Sequence, residues 1–269
     1  MDWAIKSHFE VEHISLNQIK YGLLGCKMSV EKTKEGVAGY FKVHTKYPEI
    51  FQRLMPGSEE YNKCKKLTTT IVMPKLTQDL CRITIFIPDD PNGEATDGIT
   101  YEVLPLMQAE IRIRSVDFFV SNYLIIDLKH FHFGFISKFS PSIVYKLMDI
   151  LLSTTSRIKN VHLVNVPPLI EQVKMLLKPI IPKKLFERIR THENFESLQE
   201  CIPKEYLPLD FGGTEPSISE IEKRWYEKIE SQEKIFRELL NCKSTIQDWT
   251  DKHIGELSME GSFRKLTID

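Results

Sequence analysis

Two histidines, His130 and His132, flank Phe131 just beyond a predicted strand and are the first candidates for chemistry. An imidazole titrates near neutral pH, so it can act as a general acid or base or bind a metal ion. The neighbouring sequence suggests no cysteine or carboxylate partner for either side chain. This favours histidines that face solvent or make ordinary hydrogen bonds, and an enzyme built on them is the weakest of three hypotheses.

A second candidate is a run of oxygen-bearing side chains that follows the first predicted strand. Its members are Asp89, Asp90, Asn92, Glu94 and Asp97. A calcium loop needs glycine where Ala95 stands, and Pro91 interrupts the spacing. Aspartate, asparagine, glycine and proline are the residues that turns prefer, so we predict a solvated turn here.

The cysteines are widely scattered and show no CxxC pair and no ligand-like pairing with histidine. They are Cys26, Cys64, Cys81, Cys201 and Cys242. This pattern predicts free thiols, with neither disulfides nor a zinc site. Glycine-rich phosphate loops, GxSxG elbows and HExxH motifs are also missing from the sequence. We therefore expect no catalytic residues, no metal and no cofactor.

Composition points to a globular chain of one large domain or two modest ones. The 269 residues are 42% hydrophobic and 27% charged, with a formal net charge of -1. The balanced charge argues against a dedicated nucleic-acid binder. No stretch approaches the roughly 20 apolar residues that span a bilayer, and the start lacks the pattern of a secretory signal. We expect a cytoplasmic monomer.

The elements that position these residues alternate between helix and strand after a helical beginning. Residues 1–55 are predicted to be helical, and β-branched runs predict strands at 81–87, 123–128 and 161–165. Helices are predicted at 101–116, from Ser140 onward, at 168–181, and from a Ser219 cap to about residue 240. A fourth strand could lie at 188–192. This alternation predicts an α/β fold with a largely parallel sheet.

Apolar residues are in surplus just beyond the second strand, where phenylalanines recur at alternate positions. Phenylalanines at alternate positions usually belong to an ordinary hydrophobic core. A pocket would need a part that opens, and the helix at 168–181, bracketed by prolines, could be that part. The pattern by itself favours core over gate.

Five segments in a fixed order resemble the CRAL-TRIO lipid-binding family. They are Leu24–Lys27 with Ser29–Lys32, Leu124–Leu128, Val161–Pro167, Leu177–Ile181 with Lys183–Ile189, and Leu207–Gly213. The resemblance runs from about residue 3 to residue 240, and the ending Gly261–Leu266 resembles the insect branch. One departure is Leu24, where the family usually has an arginine that belongs to a basic surface.

The resemblance implies an α/β fold with a helical N-terminal domain (1–66), a lipid-binding domain (67–215), and a C-terminal helix and tail (216–269). It implies a hydrophobic pocket, a mobile gate helix and no catalysis. We expect the pocket to be lined by Phe131, Phe133, Phe135, Ile136, Phe139, Leu147, Leu151 and Leu163. The gate is expected at Leu169, Ile170, Val173, Leu176, Leu177, Ile180, Ile181 and Leu185. Phosphoinositide contacts are expected from Lys178, Lys183, Lys184, Arg188 and Arg190.

The resemblance also bears on the ligand. Family members that carry phosphatidylinositol have a Tyr-Pro-Glu-Arg type motif before the third strand, and here residues 153–159 lack its Tyr-Pro-Glu part. A buried headgroup needs hydrogen-bond partners, so we predict an apolar ligand with one small polar end, such as a tocopherol, retinoid or carotenoid. Ser137, Ser140 or Tyr145 could contact that end. A phosphoinositide-binding adaptor or a phospholipid transfer protein is the alternative, and transient contact with anionic membranes is expected of either.

Overall fold

A computed structural model describes residues 14–115, 117–153, 155, 157–168 and 170–241 of the chain. The longer helices are α1 (Leu16–Gly25), α2 (Val30–Lys46), α4 (Glu59–Leu67), α5 (Gly98–Arg114), α7 (Pro141–Ser153), α8 (Ile170–Leu177), α11 (Ile218–Ser231) and α12 (Glu233–Asn241). Short helices are α3 (Pro48–Phe51), α6 (Phe133–Ser137), α9 (Lys183–Phe186) and α10 (Phe195–Gln199). The strands are β1 (Thr68–Val72), β2 (Cys81–Pro88), β3 (Ser121–Asp127), β4 (Ile158–Val164) and β5 (Ile189–Thr191).

Side-chain caps set where several helices begin. Ser29 accepts a hydrogen bond from the backbone N–H of Lys32, as its place before the α2 segment predicts. Asp97 caps α5 by accepting from the backbone N–H groups of Ile99 and Thr100. The same carboxylate accepts two bonds of 2.8 Å from Arg53, so the N-terminal helices are tied to the start of α5. Such a cap satisfies N–H groups that have no partner inside the helix.

The five strands form one sheet in the order β1-β2-β3-β4-β5. β1 is antiparallel to β2, and the other neighbours are parallel. The mostly parallel α/β sheet is thus as predicted, and 188–192 does contain a short strand. β1 was not predicted, because its Thr-Thr-Thr-Ile-Val sequence lacks a clear alternation. It belongs at an edge, where one side of a strand stays unpaired.

One face of the sheet packs into the main core of the protein. Ile83 and Ile85 of β2 and Ile125 of β3 are 0% exposed on this face. They pack with residues of α5, α11 and the segment around α3. Trp225 of α11 donates its indole N–H to the carbonyl of Val72 at 3.0 Å. The main core draws residues from both sides of the expected boundaries at 66 and 215, and the domain division itself stays a prediction.

Two predicted helices differ from those observed. The last helix is capped by Ser217 rather than Ser219, and it breaks at Gln232 into α11 and α12. The helix predicted at 168–181 is α-helical over Ile170–Leu177, followed by turns in which the N–H groups of Ile180 and Ile181 bond to the Leu177 carbonyl. Pro179 shortens it, because proline cannot donate a hydrogen bond to the preceding turn. Among the described residues no helix is long and apolar enough to cross a membrane.

Candidate functional site

The second face of the sheet carries a continuous apolar surface, which we call the apolar floor. The parallel register pairs Leu124 with Val161 and Ile126 with Leu163, and it places Ile189 beside Val161. Paired residues share a face, because side chains alternate along each strand. These five residues form the floor, and they belong to one apolar cluster. The prediction included Leu163 alone among them.

The two faces of β3 differ in how well they are covered. Ile125 is 0% exposed in the main core, whereas its neighbours Leu124 and Ile126 on the floor are only half-buried. Strand β3 is therefore fully buried on its core face and only half-buried on its floor face. Apolar side chains that contact one another but stay half-buried are typical of an apolar binding surface. Such a surface can bury more area when a ligand covers it.

A phenylalanine wall, formed by Phe131, Phe135 and Phe139, rises beside the floor. The ring centroids of Phe135 and Phe139 lie 4.9 Å apart, and those of Phe131 and Phe135 lie 6.1 Å apart. Tyr101 anchors the wall from α5, with its ring 4.8 Å from that of Phe135. All three wall residues are half-buried. The structure thus brings together three of the predicted pocket residues.

The remaining predicted pocket residues have different positions. Ile136 packs against the floor cluster. Leu147 packs instead against the main core, which corrects its assignment to the pocket. Leu151 is half-buried on α7. The side chain of Phe133 lies outside the described residues.

Helix α8, which we call the covering helix, lies against the floor. Ile170 and Val173 are buried in the floor cluster, and Leu177 packs there half-buried. Leu176 is 68% exposed and Met175 is 65% exposed. Residues 170, 173 and 177 share the face that meets the floor, whereas the exposure of Met175 and Leu176 shows that their side chains project towards solvent. Leu176, which was expected in the gate, therefore makes no buried contact with the floor, and Leu169 lies outside the described residues.

The chain after the covering helix adds further apolar contacts. Leu185 of α9 packs half-buried against the floor cluster. Ile180 and Ile181 are half-buried in the turns between the two helices. The floor, the wall and the covering helix therefore come from separate parts of the sequence and meet at one surface.

Four of the five predicted basic residues lie together in sequence beyond the covering helix and are exposed: Lys178, Lys183, Lys184 and Arg188. Lys183 lies 3.9 Å from the carboxylate of Glu187. Arg188 donates to the carbonyl of Ile158. Arg190 is paired with His162 in the strand register and so lies on the opposite face of the sheet from the floor, which separates it from the expected basic surface.

The residues first considered for chemistry lie close to one another in the structure. His130 lies 3.9 Å from the Asp89 carboxylate, a neighbour that the sequence did not suggest, and His132 contacts the backbone carbonyl of Asp90. The Asp90 carboxylate accepts from the backbone N–H groups of Glu94 and Ala95 and from the Tyr101 hydroxyl. Asp90 is 1% exposed, so it anchors the turn from within rather than facing solvent as predicted.

The hydroxyls expected to meet a ligand are largely engaged elsewhere. Ser137 donates to the Gly134 carbonyl at 2.7 Å. Ser140 accepts from the backbone N–H of Ile143 and so caps α7. Tyr145 is 58% exposed and is not part of the floor cluster.

A separate shallow cavity lies between α1, α2 and the end of α5. It is lined by residues that include Tyr21, Val37, Phe41, Ile113 and Thr155. It shares no residue with the floor, the wall or the covering helix. It lies beside a buried ionic group in which Glu110 accepts from the Tyr40 hydroxyl at 2.6 Å and contacts His44 at 3.0 Å.

The fold also makes a constellation that the sequence did not suggest. His162, His192 and Cys201 lie close enough for their ligand atoms to share one ion. No ligand-like spacing of cysteine and histidine in the sequence indicated this site, because His162 lies far from the other two residues along the chain.

Comparisons with known proteins match part of the chain to one domain family and to named relatives. Residues 106–213 match the model of the CRAL/TRIO domain. Over 194 residues the chain is 27% identical to "Alpha-tocopherol transfer protein-like" from Homo sapiens, covering 70% of this chain and 55% of that protein. Over 114 residues it is 37% identical to "Clavesin-1" from Rattus norvegicus, covering 41% of this chain and 32% of that protein. The chain therefore spans about half the length of the first relative and a third of the second.

A solved structure of Sfh5 superposes with a TM-score of 0.47 at 11% identity, covering 84% of this chain and 85% of that one. The CRAL/TRIO match includes β3, β4, β5 and the covering helix, and thus the whole apolar floor. The insect-like ending 261–266 lies outside the described residues.

Proposed function

Because the chain belongs to the CRAL-TRIO family, we propose that it is a carrier that holds one apolar small molecule between the apolar floor and the covering helix. The observation that carries this proposal is the contrast between the two faces of β3. Ile125 is fully buried, whereas Leu124 and Ile126 form part of a half-buried apolar surface under a helix. No chemical step is part of this function.

Burial of apolar surface supplies the driving force. Each CH₂ group removed from water contributes about 0.8 kcal/mol. A ligand of vitamin or retinoid size would therefore gain on the order of 10 kcal/mol before the cost of ordering it. The floor offers aliphatic side chains and the wall offers aromatic ones, so a long, flexible or polyene-like hydrocarbon suits this surface.

The chemistry of the floor supports an apolar ligand over a phospholipid. The floor residues are leucine, isoleucine and valine, and the wall residues are phenylalanine. A charged headgroup buried there would lack hydrogen-bond partners, which is costly. We therefore propose a tocopherol, retinoid or carotenoid class of ligand, with its polar end near the edge of the site.

Exchange at a membrane is the second part of the proposal. Met175 and Leu176 project from the outer side of the covering helix, and Lys178, Lys183 and Lys184 follow it. Exposed apolar side chains enter the interface of a bilayer, while each lysine near an anionic surface contributes roughly 1 kcal/mol. The covering helix would move outward there and release the ligand.

Mass spectrometry of the organic extract of purified protein tests the carrier role. We expect close to one apolar molecule per chain. A headgroup-bearing phospholipid as the main species would replace the proposed ligand class but keep the carrier. Protein that holds no apolar molecule, and takes none up from liposomes, would contradict the carrier and favour the phosphoinositide-binding adaptor.

Liposome co-sedimentation tests the membrane step. The double variant Lys183→Glu/Lys184→Glu should bind phosphoinositide-containing vesicles less than the original protein, and binding should weaken as salt rises. The matched control is Lys204→Glu/Lys223→Glu, which makes the same charge change at exposed lysines outside this region. Equal losses in the two variants, or equal binding to neutral vesicles, would contradict a specific membrane-docking surface.

A further inference from the structure

Three potential metal ligands meet beside the β5 edge of the sheet, away from the floor. His162 lies on β4, His192 directly follows β5, and Cys201 follows α10. Taking one ligand atom from each residue, these atoms all lie within 4.8 Å of one another. Both histidines are buried, whereas Cys201 is exposed.

The side chain of His162 lies on the face of the sheet opposite the floor. Its strand neighbours Val161 and Leu163 are in the floor cluster, and its ring lies 5.7 Å from Tyr123, a main-core residue. The cluster therefore does not compete with the proposed apolar ligand for space.

The two imidazoles already point nitrogen atoms at each other. His162 Nδ1 and His192 Nε2 are 2.8 Å apart. Ser197 donates its hydroxyl hydrogen to the Asn194 carbonyl at 2.9 Å, so its oxygen is free to accept from His192 Nδ1 at 3.4 Å. That arrangement assigns the ring hydrogen of His192 to Nδ1 and leaves the Nε2 lone pair facing His162.

In the described part of the chain, one ring nitrogen of His162 lacks a hydrogen bond. His162 is 0% exposed, and its buried Nε2 atom has no hydrogen-bond partner among the described residues. Because His192 Nε2 accepts in the bond between the rings, His162 Nδ1 carries the hydrogen there, and a ligand role for Nδ1 moves that hydrogen to Nε2. Within the described ranges, the pair is held by the bond between the two rings and by the contact of His192 Nδ1 with Ser197.

We propose that His162 Nδ1, His192 Nε2 and the Cys201 thiolate bind one divalent transition-metal ion of the zinc or cobalt type. Two nitrogen ligands and one sulfur ligand suit such an ion, and they leave a fourth tetrahedral position open. Since Cys201 is exposed, the ion can enter from solvent on that side.

The adjustment required of the two nitrogen ligands is small. Zinc–nitrogen bonds of about 2.0–2.1 Å at a tetrahedral angle place two nitrogen ligands about 3.3 Å apart. The present separation of 2.8 Å would open by about half an ångström, and the cysteine sulfur would move inward. The guanidinium of Arg190 acts on both histidines, and the carboxylate of Glu200 acts on His192 with the opposite sign.

Bound metal would tie β4, the residue after β5, and the turn after α10 into one unit. This arrangement makes the ion a stabiliser of the sheet edge, since an ion that binds only the folded chain raises its stability. The site is independent of the proposed function, and its test does not involve an apolar ligand.

Titration of metal-free protein with cobalt(II), followed by absorption spectroscopy, tests the proposal. We expect one equivalent to give visible bands of tetrahedral cobalt and a near-ultraviolet thiolate-to-cobalt charge-transfer band. Cys201→Ala should lose the charge-transfer band and bind cobalt more than about ten-fold more weakly. Cys26→Ala removes another described thiol, which lies in the N-terminal helical region, and should behave like the original protein.

Thermal unfolding gives a second reading that does not depend on cobalt spectra. Zinc should raise the midpoint temperature of unfolding for the original protein and for Cys26→Ala. The rise should be smaller for Cys201→Ala. His192→Gln, checked for folding by circular dichroism, should also lose the tetrahedral cobalt spectrum. Cobalt bands that survive Cys201→Ala unchanged, or a titration without a one-equivalent endpoint, would overturn the site.

Discussion

Replacing Val173 by aspartate should release the apolar ligand, whereas the same change at Leu176 should not. Val173 is 8% exposed and faces the floor, while Leu176, one turn further along the same helix, is 68% exposed. The two variants introduce the same charge into the same helix. A difference between the two variants therefore reports where the side chain points, because the added charge is the same in both.

The magnitudes follow from the two exposures. Val173→Asp loses about 1.5–3 kcal/mol of apolar burial and places a carboxylate without a partner against leucine and isoleucine, which costs several kcal/mol more. If the covering helix moves away from the floor, the new carboxylate regains contact with water, and most of that free-energy cost is removed. Leu176 buries about a third of its side chain, so Leu176→Asp should cost less than about 1 kcal/mol.

The assay measures extractable apolar ligand per chain after purification, with circular dichroism and thermal unfolding as the controls for folding. We expect Val173→Asp to stay folded, because the main core lies on the other face of the sheet, and to retain little ligand. Leu176→Asp should retain ligand fully but bind vesicles more weakly. A folded Val173→Asp protein with full ligand occupancy would refute the assignment of the covering helix, and so would an equal loss in Leu176→Asp.

Two further predictions concern the framework. Arg114 and His44 counteract burial and hold the pKa of Glu110 at about 2, so this carboxylate contributes roughly 3 kcal/mol above its unfolded pKa near 4.5. That stability should be lost as the pH falls from about 4.5 towards 2, and urea unfolding at several pH values should show a flatter dependence in Glu110→Gln. A methyl group at Gly98 would lie 2.7 Å from Cδ1 of Phe139, so Gly98→Ala should displace the phenylalanine wall and reduce ligand retention. Urea unfolding should show a loss of stability of about 1–3 kcal/mol. An unchanged urea midpoint together with full ligand retention would contradict this packing.

The sequence by itself determined the elements that have strong local signals. The β-branched runs at β2, β3 and β4 predict strands wherever they are placed, and the Ser29 cap sets the start of α2 through a bond to a residue three positions away. The order of strands and helices then restricts the sheet to a largely parallel one, because parallel neighbours need a crossover between them. The family segments added the expectation of an apolar pocket.

The tertiary structure alone decided which side of each apolar element faces the site. Leu124, Ile125 and Ile126 are equally apolar, so their sequence cannot tell the main core from the floor. The covering helix has apolar residues on more than one side, and only contact with the floor separates Val173 from Leu176. His162 and Cys201 are brought together across strands and turns. Contacts of this kind depend on how distant elements pack, and local sequence patterns report only the neighbours within a strand or a helical turn.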